Sequence, residues 1–313
     1  MNTAPLSTTA ESQMLHIEPS VRPLAMVQDI VYAQRSGMGS NRVLKLDLIQ
    51  PMPANPLSGP APEQAAQPAV VFVTGGGFLV GPKASYLPQR FALAQAGYVV
   101  ASIEYRLVNE GGYAASVADV KSAIRFLRAN AAQYGIDPTR IAVMGESAGG
   151  YLSAFTATSN GQPQFEEGEH LDQSSEVQAA IDLYGLSDLT RIGEGLPAPV
   201  AQAYQSPASS IALMVNGFPP FAPGGALADT PERTAAANPI TYISERTPPF
   251  LLMHGDNDML VSPVQTQLLF EALRQHQVPA TRYVVHNAGH ADIYWYQPQI
   301  TDLIIKFLDE VLK

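Results

Sequence analysis

The chain has 313 residues, 46% of them hydrophobic and 15% charged, which excludes a disordered or fibrous protein and fits one large α/β unit or two smaller ones. Net charge is −10 and no stretch clusters Lys or Arg, so neither nucleic acid nor an anionic membrane surface is an expected partner. There is no cysteine, which removes disulfides, thiolate catalysis and cysteine-based metal sites.

Residues 1–26 are polar and proline-containing and read as an arm, with residues 27–313 as the domain proper. The arm lacks the basic and apolar regions of a signal peptide; a cytoplasmic location is expected, a mature secreted form being the alternative. Val27–Ala33 and Val43–Ile49 read as a hairpin-like pair, and Gln50–Pro68, with six prolines, as a surface linker. A strand–helix rhythm follows. Short Val/Ile-rich runs at Ala69–Val73, Tyr98–Glu104, Arg140–Met144, Gln178–Tyr184, Phe250–His254 and Thr281–His286 predict buried, mostly parallel strands. None approaches the ~18 apolar residues of a membrane span.

Between and after them three helices are predicted. Val117, Val120, Ile124, Leu127, Ala131 and Tyr134 recur at spacings of three and four. Ser262, Pro263 and Gln265 supply an N-cap, a first-turn proline and a capping-box partner ahead of Val264, Leu268 and Ala272. Ile300, Leu303, Ile304, Phe307 and Val311 form the stripe of the last helix. The stretch 186–248 is rich in Pro, Gly and Ala and too long for a structureless loop, so it is expected to be an insertion covering one face of the sheet.

The sharpest chemical signal is Gly145-Glu146-Ser147-Ala148-Gly149-Gly150, between a predicted strand and a helix of small residues. That is the setting of a G-x-S-x-G nucleophile elbow, where a tight turn lifts the serine hydroxyl to the carboxyl edge of the sheet over a helix N-terminus. A hydroxyl needs a base to take its proton. In this architecture an acid and then a histidine follow in the chain. His290 lies in the loop after the last predicted strand. The acid comes from the loop after the preceding strand, where Asp258 leads directly to Val261 and the capped helix, and Asp256 could be a turn residue bonding its own backbone. Backbone N–H groups for an oxyanion are expected from Ala148 and from Thr74-Gly75-Gly76-Gly77-Phe78, directly after a strand. The glycines do not match G-x-G-x-x-G or a Walker loop, and no H-E-x-x-H or EF-hand pattern occurs, so neither a cofactor nor a metal is implied.

Together with Glu104–Leu107, Gly135–Met144 and Pro248–Gly255, these motifs resemble the α/β-hydrolase superfamily, and within it the hormone-sensitive-lipase-type carboxylesterases and bacterial feruloyl-esterase-like proteins, from about Ala69 to Leu312. The resemblance implies an α/β-hydrolase fold: a mostly parallel sheet of about eight strands, helices on both faces and a cap insertion. It also implies Ser147 as nucleophile, Asp258 as acid and His290 as base, with Gly76, Gly77 and Ala148 as oxyanion donors and Arg106 as a structural residue. These proteins usually carry His before the glycine run, where this chain has Thr74. Phe78, Phe218, Phe221 and Trp295 are the candidate pocket aromatics. The expected function is a serine carboxylesterase acting on a small-molecule ester, short-chain or aromatic. The competing readings are an amidase of the arylformamidase type and a non-catalytic ligand-binding protein on a hydrolase scaffold. Oligomeric state has no sequence signal.

Overall fold

Alternation along the strands builds a two-sided core in the computed structural model, which describes residues 13–36, 41–52, 65–217 and 219–313. The strands are β1 (Leu24–Ser36), β2 (Asn41–Pro51), β3 (Gln67–Val73), β4 (Val99–Ile103), β5 (Ile136–Glu146), β6 (Ala179–Leu183), β7 (Phe250–Gly255) and β8 (Ala280–Val285). The helices are α1 (Leu87–Gln95), α2 (Tyr113–Ala129), α3 (Ala131–Tyr134), α4 (Ala148–Thr158), α5 (Ala198–Tyr204), α6 (Ser210–Asn216), α7 (Pro231–Ala236), α8 (Val264–Gln275) and α9 (Pro298–Leu312). Successive strand side chains point to opposite faces. Val71, Val73, Ile141, Val143, Phe250 and Leu252 therefore join one core with α2, α4 and α8, while Val70, Phe72, Ala142, Met144, Leu251 and Met253 join the other with α1 and α9.

One eight-stranded sheet runs in the order β1-β2-β4-β3-β5-β6-β7-β8. The hairpin β1–β2 and the β2–β4 contact are antiparallel, and every later pair is parallel. This is an α/β-hydrolase fold, with the strand count and the helix layers on both faces that the resemblance implied. After β4 the chain crosses to the other side of β3, so the strand order reverses between β3 and β5. Open α/β sheets bind ligands at such a reversal, beyond the carboxyl ends of the strands. The Gly75–Phe78 loop leaves β3 there and Ser147 leaves β5.

Three local readings change. The periodic run through Tyr134 breaks at Asn130, which separates α2 from α3 and turns its side-chain amide back to the Phe126 carbonyl. Gln265 does not close a capping box. Its side chain is buried and spans outward, with Oε1 accepting the N–H groups of Ser187 and Asp188 and Nε2 donating to the Asp188 carbonyl. Three backbone groups of a buried loop thereby gain the partners that burial demands. Helix α1 was not anticipated from the sequence.

In the expected arm, residues 13–23 have no regular structure, and β1 begins at Leu24. The stretch 186–248 holds the short helices α5, α6 and α7 joined by turns.

Candidate active site

Ser147 follows β5 at φ 54°, a conformation rarely adopted by residues with a Cβ, and it immediately precedes α4. Its N–H donates to the Leu183 carbonyl of β6, 2.8 Å away, which pins the turn to the sheet. Gly149 allows this packing. A Cβ there would lie 1.9 Å from the Val73 carbonyl oxygen, a backbone atom that cannot swing aside. Gly149→Ala is therefore expected to lower stability by at least the ~1–3 kcal/mol of core overpacking. An unchanged urea midpoint would show that the elbow relaxes without cost.

The loop after β8 carries His290 and the loop after β7 carries Asp258, and both reach the serine. His290 Nε2 lies 2.8 Å from Ser147 Oγ and its Nδ1 lies 2.7 Å from Asp258 Oδ2. The other oxygen, Oδ1, accepts the N–H groups of Leu260 and Val261, each at 2.9 Å. Burial alone would raise the Asp258 carboxyl; hydrogen bonds from His254 and His290 outweigh it and hold the group well below the ordinary carboxylate range. Asp256 lies apart from this chain of bonds. It is exposed, 2.7 Å from the exposed His286, and its Oδ1 accepts the Asn287 N–H.

The Gly75–Phe78 loop faces Ser147 across a cavity of about 620 Å³ that Gly76, Gly77, Phe78, Ala148 and His290 line. Gly76 holds φ 135°, and a Cβ on it would meet the Val80 carbonyl oxygen at 2.3 Å. Among the described residues no acceptor meets the N–H of Gly76, Gly77 or Ala148. The last of these is also the first residue of α4, where the helix dipole adds positive potential. With Thr74 in the place of the usual histidine, the loop is held from elsewhere. Glu146 Oε1 accepts the Gly75 N–H, and Tyr105 donates its hydroxyl to the Thr74 carbonyl at 2.7 Å. Burial raises the Glu146 carboxyl to about 7, against the hydrogen bonds it accepts.

Two of the candidate pocket aromatics lie elsewhere. Trp295 is fully buried behind the His290 loop, its ring 4.4 Å from that of Tyr184 and its indole N–H donating to the Gly289 carbonyl at 2.8 Å. Its large apolar area goes to the core, and its polar handle fixes the backbone next to His290. Phe221 is 63% exposed and outside the cavity lining. The wall expected from it comes instead from Val200, Ala203 and Tyr204 on α5 and from Ile211 on α6. Phe218 lies outside the described residues. Sequence reasoning missed Ser85 and Tyr86 before α1, Leu186 after β6, and Leu260. No periodicity or motif marks such loop positions. Among the described residues no three His, Asp or Glu side chains gather as a metal site, and no helix is long and apolar enough to cross a membrane.

A family model, BD-FAE, matches residues 57–273, well over half of the chain. The chain belongs to the BD-FAE family. The matched span contains Ser147 and Asp258 and ends before His290, so the third side chain joins them through the fold. Esterase LipQ of Mycobacterium tuberculosis (strain H37Rv) is 31% identical over 227 residues, covering 72% of this chain and 50% of LipQ. The chain spans about half the length of the relatives it matches in sequence. Among solved structures, a truncated form of a carbohydrate esterase from gut microbiota superposes with a TM-score of 0.77 at 24% identity, covering 94% of this chain and 98% of that one. Thermogutta terrifontis esterase 2 phosphorylated by paraoxon superposes with a TM-score of 0.67 at 25% identity, covering 90% and 93%.

Proposed function

We propose that this protein is a serine carboxylesterase that hydrolyses short-chain or aromatic carboxylic esters through an acyl-enzyme. The observation that carries the reading is the continuous hydrogen-bond chain Ser147–His290–Asp258 opening into a cavity lined by Gly76, Gly77 and Ala148. Membership of the BD-FAE family supports it, as do relatives that are themselves named esterases.

In the proposed reaction Asp258 accepts the Nδ1–H of His290, which leaves Nε2 free to take the Ser147 proton as Oγ attacks the ester carbonyl. The carbonyl electron pair moves to oxygen, and the N–H groups of Gly76, Gly77 and Ala148 stabilise that oxyanion. The pair returns, the alkoxide leaves with the proton from His290, and the acyl group remains on Ser147. Water, deprotonated by His290, then attacks the acyl-enzyme, and Ser147 recovers the proton as the acid departs. Only the neutral imidazole serves as base, so activity falls on the acid side of the pH profile.

The shape of the cavity supports a compact acyl group. Leu186, Val200, Ala203, Ile211 and Leu260 give an apolar wall, and about 620 Å³ is ordinary for a small-molecule site. The stretch 186–248 supplies much of that wall, which supports reading it as the cap. Its helices are short, α5 and α6 having 7 residues each, unlike an extended lipase-type lid. Across p-nitrophenyl esters, kcat/KM is expected to be highest at acyl lengths of roughly C2 to C6, with about 1–3 kcal/mol lost per badly fitted methylene. Methyl ferulate tests the aromatic class in the same panel. Preference for lauroyl or longer chains overturns the short-chain reading, and faster turnover of N-formylkynurenine than of any ester replaces it with the amidase.

A further inference from the structure

We propose that His254 is a positioning residue for the proposed ester hydrolysis: a second imidazole on the carboxylate of Asp258, which fixes that carboxylate toward His290 and draws off part of its charge. The inference rests on the reading of Ser147, His290 and Asp258 given above. Its first half, the direction of the hydrogen bonds, follows from the geometry around His254 and from the burial that keeps its ring neutral.

His254 sits near the end of β7 and is fully buried. Its Nε2 lies 3.2 Å from Asp258 Oδ2, the same oxygen that meets His290, and 2.9 Å from the Val261 carbonyl. Its Nδ1 lies 3.1 Å from Thr266 Oγ1 on α8. A carbonyl only accepts, so Nε2 carries a proton. Burial lowers the His254 pKa against the pull of Asp258, which keeps the ring neutral. Nδ1 is then an acceptor, and at 3.1 Å it is nearer to the Thr266 hydroxyl than that group's other acceptor, the Pro263 carbonyl at 3.4 Å. The Thr266 oxygen in turn accepts from Arg282 Nε at 3.2 Å, and Arg282 is anchored by its bond to the Pro263 carbonyl at 2.9 Å. The bonds therefore run one way, from Arg282 through Thr266 to His254, whose one Nε2 proton is shared between the Val261 carbonyl and Asp258 Oδ2.

Two consequences follow. With Oδ1 held by Leu260 and Val261 and Oδ2 shared by two imidazoles, the carboxylate cannot rotate away from His290. Oδ2 also divides its charge between two donors, so it stabilises the His290 imidazolium less than an unshared oxygen would. A strand-end bond that only held the loop would give the first effect without the second.

The groups facing His290 are Asp258 and Ser147 on its nitrogens, His254 across the carboxylate, Tyr184 with its ring 4.9 Å away, and Glu146 beside Ser147. Asp256 and His286 pair with each other at the surface, and Asp292 takes the Gly289 N–H. Burial pushes the Glu146 carboxyl up to about 7, toward the range where the effect is sought, so it needs its own control.

The test compares kcat/KM against pH for p-nitrophenyl acetate in wild type, His254→Phe and His254→Gln. Phenylalanine keeps the ring and removes the donor; the glutamine amide restores one near the place of Nε2. In His254→Phe the acid limb is expected to move up by about 0.5–1 pH unit, as an unshared carboxylate holds the His290 proton more tightly, and the plateau to fall about 10-fold, as the carboxylate loses one of the bonds that orient it. His254→Gln is expected to return the limb most of the way. An acid limb that stays in place while the plateau or thermal stability falls overturns the proposal, leaving His254 a structural residue. Both profiles are repeated with Glu146→Gln: a displacement that persists belongs to His290, and one that vanishes belongs to Glu146 and equally overturns it. If His254→Phe does not fold, imidazole ¹⁵N spectra of the wild type decide. His254 is expected as the neutral Nε2–H tautomer throughout pH 5–9; an Nδ1–H tautomer or a titrating ring overturns the proposal. That spectrum needs no substrate, so a failed ester panel and a failed role for His254 remain separate results.

Discussion

Ser147→Ala is expected to remove ester turnover while leaving the fold intact, with kcat falling by about 10⁶. Two features of the site make the loss this large. His290 Nε2, 2.8 Å from Oγ, has no proton to take once the hydroxyl is gone, and the N–H groups of Gly76, Gly77 and Ala148 can stabilise only what another nucleophile forms. Alanine at φ 54° carries the same backbone cost that serine already carries, so the circular dichroism spectrum and melting temperature should match the wild type. An organophosphonate should label the wild type once per chain, on Ser147, and leave the variant unlabelled. Substantial residual esterase activity in a variant of confirmed purity would remove Ser147 as nucleophile.

Asp258→Asn is expected to lower kcat by about 10⁴, against less than 10-fold for Asp256→Asn. An amide at 258 has one oxygen where the carboxylate uses two. If that oxygen keeps the N–H groups of Leu260 and Val261, the amide nitrogen faces His290 Nδ1 and forces the proton onto Nε2, where it blocks the base. Asp256 bonds the exposed His286 side chain and the Asn287 N–H at the surface, and an exposed ion pair of this kind is worth little in water. The reverse ranking would reassign the acid and leave Ser147 and His290 untouched. Stability carries a second signature. The carboxyl of Asp258 is depressed in the folded state, so its contribution is present at any pH above the ordinary aspartate range and is lost only as pH falls through the depressed value. The stability gap between wild type and Asp258→Asn should therefore hold across neutral and mildly acidic pH and close only in strong acid.

Long-range order was legible in the sequence wherever a strand is buried on both faces. Ala69–Val73, Arg140–Met144 and Phe250–His254 are short runs with no polar alternation, because helices cover both sides of the sheet there, and each falls within an observed strand. The elbow was legible for a related reason. A turn that brings Gly149 to within a Cβ's width of the Val73 carbonyl admits almost no other residue, so local sterics write themselves into the chain as G-x-S-x-G. Helix α1 shows the opposite case. Its buried face includes Gln89 and Arg90 beside Leu93 and Ala94, so no apolar stripe advertises it.

What the chain determined by itself, then, was what backbone geometry and burial impose on a repeating element: the sheet, the helices α2, α4, α8 and α9, and the glycine turn. The tertiary structure alone decided the rest. It separated Asp258 from Asp256, although both lie in one five-residue run from His254, because the choice depends on where the loop after β8 delivers His290 and His286. It sent Trp295 into the core beneath Tyr184 and put short helices from 186–248 around the cavity in the place expected for Phe221. It also set His254 against the same oxygen as His290. Each of these is a meeting of side chains distant in sequence or lying on irregular loops. No periodicity relates such positions, and only packing brings them within a hydrogen bond's length of one another.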